Sequence, residues 1–376
     1  MLEFRDLQSQ YADLKNEIDE AIASVLESGR FIGGAPVIDL ETSLASYVGV
    51  DHCLTCANGT DALELALLAW GVGKGDAVFI PDFTFFSSGE VVPLVGATPV
   101  FVDVNPKTFN LDPVSLRHAV DWVRENTQLT PRVVVAVDLF GLPADFPAIC
   151  ELCDAEDMFL LEDGAQGFGG MIGDRKACSF GDISTTSFFP AKPLGCYGDG
   201  GAVFCNDDNW DDLMRSLAVH GKGSMKYDNV RVGMNSRLDT LQAAVLSVKL
   251  DAFIDHEVND VNKVASWYDA ALANTNWDLP AIPEGYLSSW AQYTIKVPEG
   301  INRTAIQQSL KELSIPTMVY YPRPMHKQQA FGETLLCPDG CPVTCDLCNH
   351  VLSLPMGPYM TYENVEQVAT ALKALK

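Results

Sequence analysis

Lys192 stands between two prolines in the run Ser187-Phe188-Phe189-Pro190-Ala191-Lys192-Pro193-Leu194-Gly195, and a glycine-rich stretch, Gly198-Asp199-Gly200-Gly201, follows it. The prolines impose an extended or turned backbone and bar a helix. An amine held on such a loop among apolar neighbours is partly desolvated, which favours its neutral, nucleophilic form. Upstream, Met158-Phe159-Leu160-Leu161 reads as a buried strand ending in Glu162-Asp163. A carboxylate at the end of such a strand is costly unless a cation pairs with it. A lysine that can form a Schiff base, and a strand-end carboxylate that can keep a pyridinium nitrogen protonated, are what a pyridoxal 5'-phosphate site requires. Taken singly, each residue also fits a plainer role, a solvated loop lysine and one half of a structural ion pair.

Two further runs supply parts that such a site uses. Ala57-Asn58-Gly59-Thr60-Asp61-Ala62 follows a strand pattern and opens a helix. Its backbone N–H groups and the Thr60 hydroxyl make either a phosphate cradle or simply a capped helix after a tight turn. Asp82-Phe83-Thr84-Phe85-Phe86-Ser87 places aromatics at a strand end, where a ring stacks on a flat cofactor or packs under a loop. Ser187 precedes Lys192 closely enough to reach the same phosphate.

The elements that must position these residues form an alternating pattern. Apolar runs at Cys53–Cys56, Ala77–Ile80, Pro99–Val102, Val133–Asp138 and Phe159–Glu162 are separated mostly by helical patterns over 60–70, 86–95, 113–124 and 145–156. Such alternation predicts an α/β domain whose mostly parallel sheet is covered on both faces. Ser184–Phe188 and Ala202–Cys205 add strands on either side of the lysine loop. Helices are expected over 7–29 and 37–48, and a long helical stretch runs from Ser236 to about Asn274. Beyond it, strands at Gln292–Val297 and Thr317–Tyr320 and helices at 303–313, 343–351 and 361–375 predict a smaller α+β unit. We expect a large domain over 1–249 and a small one over 250–376.

The chain has 376 residues, and its formal net charge of −25 argues against nucleic-acid binding through a basic surface. No apolar run reaches the roughly 18 residues a membrane span needs, so no membrane partner is expected. The N-terminus lacks a signal pattern and the eleven cysteines are an odd number, which together predict reduced thiols and a cytoplasmic location.

The motifs Ala57–Ala62, Glu162-Asp163-Gly164-Ala165-Gln166, Ser187–Gly201 and Gly233-Met234-Asn235-Ser236-Arg237-Leu238-Asp239-Thr240-Leu241-Gln242 occur in order across nearly the whole chain. Together they resemble the DegT-type nucleotide-sugar aminotransferases, fold-type I pyridoxal phosphate enzymes. The resemblance implies that Lys192 is the Schiff-base lysine and proton shuttle and that Asp163 partners the pyridine nitrogen. It implies that Gln166 lies near the ring's phenolic oxygen, that Gly59, Thr60 and Ser187 contact the phosphate, and that Phe85 stacks on the ring. It also implies that Asn235 reaches the phosphate bound by a neighbouring subunit and that Arg237 contacts the sugar there, hence a homodimer with shared active sites. L-Glutamate is the expected amino donor and a nucleotide sugar the acceptor. Within the family, the chain most resembles the subgroup that aminates carbon 3, especially the one acting on UDP-2-acetamido-2-deoxy-3-keto-glucuronate in surface-polysaccharide synthesis. Amination at carbon 4 is the alternative. A related dehydratase carries histidine in place of the lysine, and a non-catalytic regulatory homologue has no need of the set Lys192, Asp163, Gln166, Ser187 and Asn235.

Two departures stand out. The subgroup usually reads His-Tyr-Pro where this chain has Tyr320-Tyr321-Pro322, so Tyr320 and Tyr321 are expected at the sugar with an altered recognition of its carboxylate. The run Cys337-Pro338-Asp339-Gly340-Cys341, followed by Cys345 and Cys348, has spacings found in iron–sulfur and zinc sites. Nothing else in the chain resembles a radical enzyme, and no metal is assigned. The pairs Cys53/Cys56 and Cys150/Cys153 read as core thiols.

Overall fold

A computed structural model of the chain describes residues 2–225, 227–332, 335–336 and 339–375. Its centre is an eight-stranded sheet. In chain order its longer strands are β1 (His52–Cys56), β2 (Asp76–Pro81), β3 (Thr98–Val102), β4 (Thr130–Val137), β5 (Phe159–Asp163), β6 (Ile183–Ser187) and β7 (Gly201–Cys205). Spatially they run β1-β7-β6-β5-β4-β2-β3, and the short strand Leu335–Leu336 adds to β3 in parallel. From β6 to β3 all neighbours are parallel, whereas β7 is antiparallel to both β1 and β6. The expected mostly parallel, mixed α/β sheet is therefore present.

Burial explains the composition of these strands. Val133, Val134, Val135 and Ala136 of β4 are fully buried, and they divide between the hydrophobic clusters on the two faces of the sheet. A strand covered on both sides reads as a continuous apolar run and not as an alternating one. The helix Gly59–Ala69 covers one face with Ala62, Leu63, Leu65, Ala66 and Leu67, and Asn58 caps its start by accepting from Asp61 N at 2.8 Å. The helix Pro113–Asn126 covers the other through Leu116, Ala119, Val120 and Val123, with Asp112 as cap and Pro113 in its first turn. This doubly covered arrangement leaves the carboxyl ends of the parallel strands as the crevice for a ligand. Asp163 and Ser187 close β5 and β6 at that rim.

A second core gathers Tyr268, Tyr293, Ile295, Leu310, Leu352, Leu354, Val365, Val368 and Leu372. It sits between the antiparallel pair Tyr293–Lys296 and Val351–Leu354 and the helices Val258–Leu272, Arg303–Glu312 and Tyr362–Ala374. The long helical stretch is Thr240–Ala252 and Val258–Leu272, joined through a π turn at Phe253–Glu257.

Several expectations are corrected. The helix over 7–29 is two helices, Leu7–Asp13 and Lys15–Ser28, because Leu14 leaves helical geometry at ψ 14°. Thr317–Tyr320 makes only one bridge, Met318 to Ser353, before the chain turns toward the crevice. Val351 begins a strand instead of ending a helix, and the helix Asp208–Leu217, capped by Asp207, has no counterpart in the sequence reading. Among the described residues no helix is long and apolar enough to cross a membrane.

Candidate active site

Asp163 lies at the carboxyl end of β5, only 4% exposed. The Ser88 hydroxyl donates to its Oδ2 at 2.7 Å and Ala165 N donates to its Oδ1 at 3.2 Å. Thr84 Oγ1 sits 3.1 Å from the Ser88 oxygen and donates to it once the Ser88 proton is committed to Asp163. Burial pushes the Asp163 pKa above the ordinary carboxylate value, while the Ser88 bond and the charge of Lys192 pull the other way. Lys192 is half-buried. Its surroundings are dense enough that desolvation pushes its ammonium pKa down, and the charge of Asp163 opposes this. The two groups thus feel one another across the crevice. A buried carboxylate whose hydrogen bonds do not offset its desolvation is suited to receive a cation.

The cradle is formed by the start of the helix Gly59–Ala69 against the end of β6. A Cβ placed on Gly59 would lie 2.8 Å from the Ser187 Cβ, so only glycine lets the two segments approach. Of the first-turn donors, Asp61 N and Ala62 N are spent on the side chain and carbonyl of Asn58. Those of Gly59 and Thr60 have no partner among the described residues. Thr60 Oγ1 lies 2.8 Å from Ser87 Oγ, and Ser187 Oγ accepts from Phe189 N at 3.3 Å. Unpartnered N–H groups at a helix start, flanked by hydroxyls, fit a phosphate dianion.

Phe85 is 52% exposed and leans toward Tyr321, their centroids 6.2 Å apart. Half an aromatic face left open beside the crevice fits a flat ring as its missing partner. Gln166 is buried; its Oε1 accepts from Phe140 N at 2.9 Å and its Nε2 donates to the Tyr321 hydroxyl at 3.2 Å. That bond joins the end of β5 to the strap carrying Tyr320 and Tyr321. Burial pushes the Tyr321 hydroxyl pKa upward, and the Gln166 bond opposes it. Tyr320 is half-buried against Phe4. The strap is anchored just past the end of β2: His326 N donates to Asp82 Oδ1 at 2.8 Å, and His326 Nδ1 and Asp82 Oδ2 are 2.6 Å apart. Cys341 Sγ lies within 4.8 Å of both ligand-type atoms, but the imidazole and the carboxylate bond one another directly. Cys348 is buried, Cys345 Sγ accepts from Lys327 Nζ at 3.3 Å, and Cys337 lies outside the described residues.

Asn235 and Arg237 are placed differently. Between them Ser236 is buried and accepts from Ala57 N at 3.0 Å, which holds this segment beside the cradle turn. Asn235 and Arg237 alternate with it and are exposed on the chain's surface. Within one chain, then, the structure brings together Lys192, Asp163, Gly59, Thr60, Ser187, Phe85, Gln166 and Tyr321, with Tyr320 adjoining, and directs Asn235 and Arg237 outward. The sequence reading missed Ser88. Its signal was the Ser87-Ser88 pair closing the aromatic run, but nothing local tied it to Asp163.

The chain is similar to known proteins along nearly its whole length. Residues 12–373 match the model of the DegT/DnrJ/EryC1/StrS aminotransferase family. The UDP-2-acetamido-2-deoxy-3-oxo-D-glucuronate aminotransferase of Pseudomonas aeruginosa is 42% identical, over 99% of each chain. A pleiotropic regulatory protein of Geobacillus stearothermophilus is 39% identical over 96% of this chain and 95% of its own. The crystal structure of a DegT/DnrJ/EryC1/StrS aminotransferase from Brucella abortus superposes with a TM-score of 0.97 at 42% identity, covering 100% of this chain and 99% of that one. The architecture is the fold-type I arrangement expected from the motifs. The chain belongs to the DegT/DnrJ/EryC1/StrS aminotransferase family and is a pyridoxal phosphate-dependent aminotransferase.

Proposed function

We propose that the chain transfers an amino group from L-glutamate to carbon 3 of a nucleotide-linked keto sugar, in the synthesis of an amino sugar for surface polysaccharide. The similarity to the Pseudomonas aeruginosa enzyme along the full length supports the substrate class. The observation that carries the chemistry is the buried, Ser88-bonded carboxylate of Asp163 at the rim of the sheet, with Lys192 on the loop that follows β6.

Pyridoxal phosphate, when bound, supplies the electron sink that makes the carbon bearing the amino group acidic. The residues of the chain do the rest. Gly59 N, Thr60 and Ser187 would hold its phosphate, and the exposed face of Phe85 would take its ring. Asp163, kept in place by Ser88, would partner the ring nitrogen. Gln166, fixed by Phe140 N and Tyr321, would bond the phenolic oxygen. Lys192 Nζ, its ammonium disfavoured by burial, takes a proton from the α-carbon of the donor and later delivers one to the sugar carbon. One lysine thereby serves both halves of a ping-pong exchange. Arg237 and Asn235, outward on their own chain, complete the site of a second subunit in a cytoplasmic homodimer, where Tyr320 and Tyr321 meet the sugar.

The test is product analysis by NMR after incubation with L-glutamate and a panel of UDP- and dTDP-linked 3-keto and 4-keto sugars. The proposal expects an amine at carbon 3 of one UDP sugar. Amination confined to 4-keto sugars would overturn the position assigned, and no turnover of any sugar by protein carrying the cofactor would favour a regulatory role.

A further inference from the structure

The loop bearing Lys192 is folded tightly on itself. Lys192 N donates to the Phe189 carbonyl and Cys196 N to the Phe188 carbonyl, both at 2.8 Å. A Cβ on Gly195 would lie 2.5 Å from the Pro190 carbonyl oxygen. Three further loop carbonyls, those of Lys192, Pro193 and Gly195, take donors from outside the loop. Both donors are cations from distant parts of the chain. Arg5 Nη2 stands 3.4 Å from the carbonyl oxygens of Lys192 and of Pro193. Lys249 Nζ, on the helix Thr240–Ala252, donates to the Gly195 carbonyl.

The surroundings of these cations are unusual. Lys249 is 1% exposed and Glu257 2% exposed. Glu257 is the carboxylate both cations feel, yet its Oε1 accepts from Gln10 Nε2 at 2.7 Å and from the Tyr359 hydroxyl at 2.8 Å. Its Oε2 and Arg5 Nη1 are buried without a partner. Burial is the largest influence on both cations and pushes their pKa values down, that of Lys249 to about 8. A fully buried cation and a half-buried one whose donors reach only neutral carbonyls, with a single carboxylate near both, form a costly arrangement for stability alone. Two apolar side chains of similar size would fill the same space without that cost.

We infer that Arg5 and Lys249 are positioning residues for Lys192. They clamp the loop carbonyls at and after the lysine, and so set the direction in which its side chain enters the crevice. They also place positive charge behind the loop, which disfavours a protonated nitrogen in front of it. The inference rests on the reading of Lys192 as the amine that bonds to pyridoxal phosphate. It concerns how that amine is aimed.

The experiment uses full-length protein freed of cofactor and mixed with pyridoxal phosphate alone. Two quantities are read: the rate at which the imine absorbance appears, and the pH midpoint at which the imine loses its proton. For R5M and K249M the rate is expected to fall about tenfold, within the range a displacement of up to ~1 Å costs. The midpoint is expected to rise by about half a pH unit, since a nearby like charge has been removed. R5K should recover the wild-type midpoint and most of the rate. Wild-type rate and midpoint in R5M and K249M would overturn the inference. So would a slower rate that tracks a lowered melting temperature with the midpoint unmoved, because a purely structural role gives that result. Should R5M not fold, K249M reads the same clamp from its other side. If wild-type protein shows no imine band, or K192A keeps it, the reading of Lys192 fails instead.

Discussion

Replacing Asp163 with asparagine removes a charge and almost no volume. Ser88 still finds an oxygen to donate to, so the local packing survives. In the cofactor-free protein the carboxylate is held by Ser88 and Ala165 and faces Lys192, yet burial outweighs these and raises its pKa. A carboxyl group whose folded pKa is raised contributes stability below its unfolded value of about 3.9, and loses that contribution as pH climbs through the folded value. The charge therefore costs stability at neutral pH, and cofactor-free D163N should melt no lower than wild type at pH 7. With the cofactor bound the proposed role of Asp163 reverses the sign, because the substitution would take a charged partner from the ring nitrogen. Truncating one member of a buried charge pair costs about 2–5 kcal/mol. At about 1.36 kcal/mol per factor of ten, the half-reaction with L-glutamate should slow by about 30- to 5,000-fold. Stopped-flow absorbance in a single turnover measures this without needing the sugar. A D163N half-reaction within about threefold of wild type, or a cofactor-free D163N that melts well below wild type at pH 7, would refute the reasoning.

Gly59→Ala forces the helix start away from Ser187, since its Cβ would stand 2.8 Å from that residue's Cβ; equilibrium dialysis should show cofactor affinity weakened about tenfold or more, the loss of roughly one hydrogen bond to a charged group. If Arg237 serves the neighbouring subunit, mixing inactive K192A and R237A proteins should restore activity through hybrids with one intact site, whereas no recovery after verified subunit exchange would place Arg237 in its own chain's site. Tyr320→His should move substrate preference toward a sugar bearing a carboxylate, read as the ratio of kcat/KM for UDP-linked uronate and non-uronate ketones.

Much of the sheet was legible because its chemistry is local. Val133–Val137 can hardly be anything but a doubly covered strand, and Asn58-Gly59 announces a capped helix at its end. Lys192 and Asp163 were legible because proline, glycine and apolar neighbours frame them within a few residues. What escaped depends on distance along the chain. Ser88 meets Asp163 across 75 residues, and Arg5 meets Lys192 across 187. No window of sequence contains either pair. The periodicity of Leu7, Tyr11, Leu14 and Ile18 runs unbroken through Leu14, where the helix breaks. Val351-Leu352-Ser353-Leu354 is a short run, buried throughout, that follows a helix without an intervening turn signal. We propose the division into domains of 1–249 and 250–376 on the strength of the second core, although Met325, Leu347 and Val351 pack against the first.

The identity of the lysine that bonds to the cofactor is the most direct test of the site. The protein with pyridoxal phosphate is reduced with borohydride, digested, and its peptides weighed by mass spectrometry. One pyridoxyl group per chain is expected, on Lys192, and none in K192A. An adduct on another lysine, such as the buried Lys249 with its pKa near 8, would contradict it, as would a chain that carries no adduct at all.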